Sequence, residues 1–189
     1  MSAKYKSIID LFHEPRKLSP SVAEIAKAAS QSAVNGNGNA ASNKNKSPIA
    51  SLKCPRIEFI INKRRIAFFP AGPKSVNAGS INITDGAKYP GNVWYGRISP
   101  RGDFFSGAAC DDEVAAIVER FADDPVGFVE EFGRKSGVCA FCTTRLTDER
   151  SVGVGYGPTC AKRWGLWDRW KAWRGECKGQ MTIEEFDGE

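Results

Sequence analysis

The sequence predicts an α+β protein with a small antiparallel sheet, two helices after it, and a treble-clef-like zinc knuckle near the C-terminus. Short segments rich in branched and aromatic residues predict the sheet, capped helical segments follow, and three closely spaced cysteines come last. The 189 residues are 41% hydrophobic, which is enough to bury a core. The expected divisions are an N-terminal helical arm (1–33), a flexible linker (34–51), an α+β region (52–136), a zinc knuckle with a tryptophan-rich basic helix (137–179) and an acidic tail (180–189).

The N-terminal part is predicted to lie outside the folded core. Residues 5–14 and 20–33 have the apolar spacing of short helices. Residues 34–48 are rich in Asn and Gly, and such a composition is typical of a flexible linker. We therefore expect a disordered arm and linker, with the folded region beginning near Leu52.

The sheet is predicted from about residue 56 to 107. Residues 57–72 favour two strands around a basic turn at 62–64. Residues 80–84 alternate apolar and polar side chains, and residues 92–98 are rich in aromatic and branched ones. A Gly-Asp turn then leads into a short last strand.

Two helices are predicted to follow the sheet. Asp111 or Asp112 caps the first, and Asp124 with Pro125 begins the second, because proline is tolerated in the first helical turn. Gly137 ends the second helix. In the first helix, a spacing of three and four residues predicts one buried face made of Val114, Ile117, Val118 and Phe121.

The cysteines Cys139, Cys142 and Cys160 have a spacing that is typical of a structural metal site. A C-x2-C pair turns tightly and directs two thiolates to one point, and zinc prefers tetrahedral sulfur and nitrogen ligands. Residues 143–158 predict a short hairpin that returns the chain to the metal. Cys160 then lies in the first turn of a helix, whose dipole favours a thiolate. Zinc is therefore the expected cofactor.

The fourth zinc ligand is not evident. A Cys or His three residues after Cys160 is usual, but Arg163 stands there. Cys177 can reach the metal only if the helix after Cys160 stops at Gly165. A site of three cysteines and a water, packed cysteines without metal, and a redox dithiol are the alternatives. The other possible donors are Cys54, Cys110, His13 and Asp168.

The run from Cys139 to Trp167, CAFCTTRLTDERSVGVGYGPTCAKRWGLW, resembles an uncharacterised family of small domains in bacteriophage and mobile-element proteins. The shared features are the C-x-x-C pair, the LTD-x-x-S stretch and GYGP-x-C. The upstream run GNVWYGRI…FADDPVGFVEEFGR also resembles the segment that precedes this motif in phage members. The resemblance implies a phage or mobile-element origin and zinc binding by the three cysteines. It implies no reaction.

Charge and aromatic residues favour a nucleic-acid partner. The net charge is +5, with thirteen basic and four acidic residues in 1–75, and eight and four in 139–179. Four tryptophans recur every third residue from Trp164 to Trp173, interleaved with bases. Trp164 and Trp167 are expected to cover the knuckle, and the outer rings to stack on bases. The predicted nucleic-acid-binding residues are Lys63, Arg64, Arg65, Lys162, Arg163, Arg169, Trp170, Lys171, Trp173 and Arg174. A mixed, solvated surface is the simpler alternative.

The acidic C-terminal tail suggests a second kind of partner. Gln180, Ile183 and Phe186 resemble short peptides that dock on DNA sliding clamps. The tail therefore predicts contact with a replication protein. An interaction module that inhibits or recruits a host factor without nucleic acid is the alternative.

An enzyme is the less favoured interpretation. The chain has one histidine, His13, far from the cysteines, whereas catalytic zinc sites and zinc-supported nucleases usually use histidine. A carboxylate-metal nuclease stays open, because Asp111, Asp112 and Glu113 cluster, although a helix N-terminus explains them. No apolar run is long enough to cross a bilayer and no signal peptide is evident, so we expect a cytoplasmic protein.

Overall fold

The computed structural model describes residues 4–13 and 55–173. The predicted helix 20–33, the linker and the acidic tail lie outside these residues, as do Cys54, Arg174 and Cys177. The helices and strands, in chain order, are α1 (Lys6–His13), β1 (Ile57–Ile61), β2 (Arg64–Pro70), β3 (Ile81–Thr84), β4 (Trp94–Ile98), β5 (Phe104–Ser106), α2 (Asp112–Asp123), α3 (Pro125–Ser136), α4 (Glu149–Val154), α5 (Pro158–Arg163) and α6 (Trp167–Ala172).

The predicted antiparallel sheet is confirmed, and its five strands lie in the order of the sequence. β1 and β2 are joined by Asn62 and Lys63, whose φ angles are 50° and 62°. Two residues with positive φ form the tight turn that matches the twist of antiparallel strands. Asparagine tolerates this backbone better than most residues, which explains its position at the first site of the turn.

One face of the sheet packs on the helices and forms the core. The Phe59 ring on β1 lies 5.1 Å from the Phe121 ring on α2 and 4.9 Å from the Phe128 ring on α3, measured between centroids. These edge-to-face contacts add to the burial of the aromatic area. The other inward-pointing strand residues are buried as well: Ile57, Ile66, Phe68, Ile81, Ile83 and Ile98.

Both predicted helices after the sheet are confirmed, with their caps. The Asp111 carboxylate accepts a hydrogen bond from the Val114 amide at 3.0 Å, and the Asp124 carboxylate accepts one from the Gly127 amide at 2.9 Å. Each cap satisfies an amide that the first helical turn leaves without a partner. Gly137 ends α3 with a φ of 67°, as predicted. The four residues of the predicted buried face of α2 are all buried.

The helix predicted at 5–14 forms as α1, but the expectation that the folded region begins near Leu52 is wrong. Ile8 and Leu11 have no exposed surface. The Phe12 ring meets the Trp164 ring edge-on at 5.3 Å, and Lys4 pairs with Glu119 on α2 at 2.9 Å. An amphipathic helix has to bury its apolar stripe, and the core supplies the surface for it. α1 is therefore part of the fold and not a disordered arm.

Two predictions for the C-terminal third are wrong. The hairpin expected between Cys142 and Pro158 is instead the short helix α4, because the Asp148 carboxylate caps it by accepting from the Ser151 amide at 2.9 Å. The treble-clef arrangement therefore lacks its hairpin. The single tryptophan-rich helix is split into α5 and α6 at Gly165, whose φ of 71° is left-handed.

None of the described helices is long and apolar enough to span a membrane.

The role of α1 predicts a large difference between two substitutions on it. Leu11→Ala removes a fully buried side chain and should lower the free energy of unfolding by about 2–5 kcal/mol. Lys6→Ala breaks only an exposed ion pair with Asp10 and should cost less than about 1 kcal/mol. Urea denaturation of both variants measures the difference. Equal, small effects would show that α1 does not belong to the core.

Candidate metal centre

The C-x2-C segment forms a closed turn between residues 138 and 145. Val138 and Arg145 pair as an isolated antiparallel bridge. Inside it, the Cys139 amide donates to the Thr144 carbonyl at 3.0 Å, and the Thr143 amide donates to the Cys139 carbonyl at 2.8 Å. Thr143 adopts a φ of 57° to close the turn. These bonds fix the backbone from which both thiols project.

The turn is attached to the edge of the sheet. The Glu58 amide on β1 donates to the Ala140 carbonyl at 2.8 Å. β1 is an edge strand, so this amide has no partner strand on its outer side. The contact therefore satisfies an edge group and holds the cysteine turn against the core.

Cys160 brings the third sulfur to this turn from α5. The three Sγ atoms all lie within 4.8 Å of one another, with Cys139 and Cys160 buried and Cys142 exposed. Sulfurs bound to a tetrahedral zinc at about 2.3 Å are separated by about 3.8 Å, so a small adjustment brings all three onto one ion. The three cysteines can therefore hold a metal ion. Within residues 4–13 and 55–173, no other three His, Cys, Asp or Glu side chains come together in this way.

The electrostatics of the cluster favour a bound cation. The pKa of Cys139 is lowered to about 6, first because the Cys160 thiol donates a hydrogen bond to it, and then because the Phe141 and Cys142 amides do so; burial opposes the shift. The pKa of Cys160 is raised, because its thiol is that donor, is buried and faces the negative charge of its neighbours. The Cys160 proton therefore stabilises negative charge on the Cys139 sulfur. A divalent ion in its place stabilises all three thiolates.

Two glycines, Gly133 and Gly155, pack closely and fix the position of the GYGP segment, which precedes Cys160. Gly155 has a φ of 84°, and a Cβ there would lie 2.3 Å from the Glu130 carbonyl oxygen. A Cβ on Gly133 would lie 1.9 Å from the Gly155 carbonyl oxygen. α3 and the end of α4 therefore approach backbone to backbone, a distance that only glycine permits. This contact sets where α5 begins and thus where the third sulfur lies.

A half-buried polar network ties the same region to α6. The Tyr156 hydroxyl donates to the Glu130 carboxylate at 3.1 Å, and the Arg169 guanidinium donates to it at 2.9 Å. Burial first, and then the Glu130 charge, raise the pKa of Tyr156 well above its usual range. The structure thus places Arg169, which we predicted to bind nucleic acid, in an internal ion pair.

Trp164 covers the knuckle, as predicted. Its ring stacks on the Phe141 ring at 4.5 Å, and only 2% of the residue is exposed. Arg163 next to it is exposed. It lines a cleft of about 430 Å³ together with the three cysteines, Arg145 and Asp148. Arg163 therefore occupies the position where a fourth ligand is usual, and it lines a cleft that Arg145 lines as well.

The other proposed donors that the structure describes do not join the cluster. His13 lies 3.2 Å from the Gly79 carbonyl through its Nε2 atom, and Asp168 pairs with Lys171 at 2.9 Å. Cys110 is separate and half-buried before α2. Cys54 and Cys177 lie outside the described residues.

Trp167, which we expected to cover the knuckle with Trp164, instead stacks on Trp170 between two cations. The Trp167 and Trp170 rings are 4.9 Å apart and nearly parallel, at 8°. Arg150 lies over the Trp170 ring at 4.7 Å, and Lys162 lies over the Trp167 ring at 4.5 Å. Arg150 comes from α4, and sequence reasoning missed it because no local spacing links it to the tryptophans. We call these four side chains the tryptophan stack.

The remaining predicted nucleic-acid residues are dispersed. Lys63 is exposed at the β1–β2 turn, whereas Arg64 pairs with Glu113 at 3.4 Å and Arg65 with Glu58 at 3.1 Å. Lys171 lies at the margin of the tryptophan stack, 6.0 Å from the Trp167 ring. Trp173 packs on Gly153, where a Cβ would lie 2.4 Å from its ring.

The acidic cluster at the start of α2 is occupied by a helix cap and ion pairs, because Asp111 both caps α2 and pairs with Arg64.

The segment that holds the cysteines is similar to a known family. Residues 129–165 match a protein family of unknown function, DUF6011. The matched segment runs from α3 through α5 and includes all three cysteines. No curated protein and no solved structure matches the chain. Over this segment the chain is therefore similar to a small domain whose function is unknown, and the match assigns no activity.

The two glycines of the GYGP segment should differ in how much stability an alanine substitution costs. Gly155→Ala forces a left-handed alanine against the Glu130 backbone and should destabilise the fold by more than about 2 kcal/mol. Gly157→Ala meets nothing within 4 Å at an ordinary backbone conformation. It should cost less than about 1 kcal/mol as an N-cap change. Thermal unfolding followed by circular dichroism compares them. Similar melting temperatures for the two variants would contradict the backbone contact.

Proposed function

We propose that this chain is a zinc-stabilised accessory protein of a bacteriophage or mobile genetic element, acting in the cytoplasm of the host and binding nucleic acid. The convergence of Cys139, Cys142 and Cys160 within 4.8 Å carries the proposal. The origin rests on the resemblance of the run from Cys139 to Trp167 to phage and mobile-element proteins.

The donor set supports zinc as the metal. Three thiolates are soft ligands, and the d¹⁰ zinc ion accepts their tetrahedral geometry without a redox change. No histidine joins them among the described residues, and two of the three sulfurs are buried. These features are typical of a structural zinc and not of a catalytic one. The fourth ligand in this proposal is a water or Cys177.

The tryptophan stack supports nucleic acid as the partner. Arg150 and the half-buried Trp170 form its inner end, whereas Lys162 at the outer end is exposed. An exposed cation–π contact contributes about 0.5–1 kcal/mol, and a base stacked on an aromatic ring about 1–3 kcal/mol. A base can therefore displace Lys162 from the Trp167 ring. The released ammonium group then lies beside the phosphate of that nucleotide.

Metal loading tests the first half of the proposal. We expect one zinc ion per chain by native mass spectrometry, and a lower melting temperature after chelation, because a structural metal adds its binding energy to folding. Cys160→Ser should abolish the zinc. The matched control is Cys110→Ser, which changes a cysteine outside the cluster and should keep it. Zinc retained by Cys160→Ser, or a melting temperature indifferent to chelation, would refute the structural site.

Salt dependence tests the second half. We expect the affinity for a labelled oligonucleotide to fall steeply with salt, as counterion release requires. Lys162→Gln should weaken binding and reduce the slope of log K against log salt by about one. Lys135→Gln on α3, whose lysine pairs with Glu131 in an acidic part of the chain, is the matched control and should leave the slope unchanged. Absence of binding at low salt would contradict the nucleic-acid proposal.

A further inference from the structure

The two layers of the core carry opposite charge. Residues 55–107, which contain the sheet, hold eight Lys and Arg against three Asp and Glu. Residues 108–136, which contain α2 and α3, hold three against eight. Among the described helices, α2 and α3 pack on the inner face of the sheet, where the Phe59 ring meets the Phe121 and Phe128 rings. The outer face therefore belongs to the basic layer and points away from the acidic one.

Four residues form a row across the outer face. Phe69 on β2 pairs with Asn82 on β3, Asn82 pairs with Arg97 on β4, and Arg97 pairs with Phe105 on β5. Paired residues of antiparallel strands lie side by side on one face, about 5 Å apart. Their sequence neighbours, such as Phe68, are buried on the inner face. We call these four residues the outer row.

The outer row is accessible and combines rings with a cation. Phe105 is 46% exposed, and the Arg97 guanidinium lies over its ring at 4.8 Å. Phe69, Asn82 and Arg97 are half-buried.

Trp94 extends this surface. The register of β3 and β4 shifts between Ile83 and Thr84, so that Tyr95 enters the core and Trp94 pairs with the outward-pointing Thr84. Trp94 therefore lies on the outer face, and it is 43% exposed. Its ring packs on Gly107, where a Cβ would lie 2.5 Å away. That contact holds the ring at the margin of the sheet.

The loop after β3 covers the other half of this face. A Cβ on Gly86 would lie 2.1 Å from the Arg56 guanidinium and 3.4 Å from Ala67 on β2, so the loop lies directly over that strand. Ala67 and Thr84 are accordingly buried although they point outward. On the side of the face that β4 and β5 form, the open surface therefore consists of the outer row and Trp94.

We infer that the outer row and Trp94 form a binding surface for single-stranded nucleic acid. This inference rests on the proposed function and specifies the strandedness of the ligand and a second place where it binds. Aromatic rings on adjacent strands offer flat surfaces on which unpaired bases stack, and Asn82 offers an amide to base edges. Arg97 and the basic layer around it complement the phosphates. A duplex keeps its bases stacked inside and cannot use these rings.

The experiment measures the binding of short fluorescent oligonucleotides to the zinc-loaded chain of 189 residues by anisotropy at low salt. Single strands of DNA and RNA are compared with a duplex of equal length. We expect single strands to bind more tightly. Phe105→Ala should weaken single-strand binding roughly tenfold, because one base loses its stacking partner. Arg97→Gln should weaken binding and lower the salt slope by about one.

The chain offers a matched control for each variant. Ile60→Ala removes an equally exposed apolar side chain (54%) from the opposite edge strand, β1. Arg120→Gln removes an arginine that also lies over a phenylalanine, Phe128 at 5.4 Å, but in the acidic layer. Both controls should bind single strands as the unchanged protein does.

The outcomes separate this inference from the proposed function. If Phe105→Ala and Arg97→Gln bind like their controls while Lys162→Gln is weakened, the sheet surface is refuted and nucleic-acid binding at the tryptophan stack stands. Equal affinity for duplex and single strand also overturns the inference. If the unchanged protein binds no oligonucleotide, both fail, and the exposed aromatic face then fits a protein partner.

Discussion

Three sulfur atoms within 4.8 Å of one another, two of them buried, cannot all carry a negative charge unless a cation lies between them. The C-terminal third of the chain depends on how this constraint is met. Residues 137–173 contain three helices of six residues each, and helices this short are not stable by themselves. A metal ion joining the cysteine turn to α5 would add to the apolar contacts that bury Tyr156, Trp164 and Leu166 in the core. The hydrogen bond from the Glu58 amide to the Ala140 carbonyl then attaches the ordered cysteine turn to the sheet.

The other contacts of this region also hold its short helices together. The Gly133–Gly155 backbone approach and the Tyr156–Glu130–Arg169 network join α3 to the segments on both sides of Cys160. Trp164 packs between Phe141 of the turn and Phe12 of α1, so the first described helix closes over the last part of the fold. The tryptophan stack is attached to this assembly. Its geometry, and any binding it performs, therefore follow from the order imposed around the cysteines.

Local patterns in the sequence predicted the elements that local interactions determine. Alternating strands, the Asn62–Lys63 turn, the two aspartate caps and the C-x2-C turn depend on residues within a few positions of one another. The errors concern tertiary contacts. α1 joins the core across more than 40 intervening residues, and Arg150 meets Trp170 from another helix. Gly165 ends a helix whose composition favours continuation. The outer row needs the strand register, which alternation alone does not provide.

X-ray absorption at the zinc edge of the loaded protein tests the central claim most directly, because it reports the atoms bound to the metal. A centre built on Cys139, Cys142 and Cys160 predicts a shell of sulfur at about 2.3 Å. Three sulfurs with one lighter atom indicate a water, and four indicate a further cysteine, which in our proposal is Cys177. A first shell of nitrogen and oxygen atoms alone, without zinc–sulfur scattering, would contradict the cysteine centre and the account of the fold that depends on it.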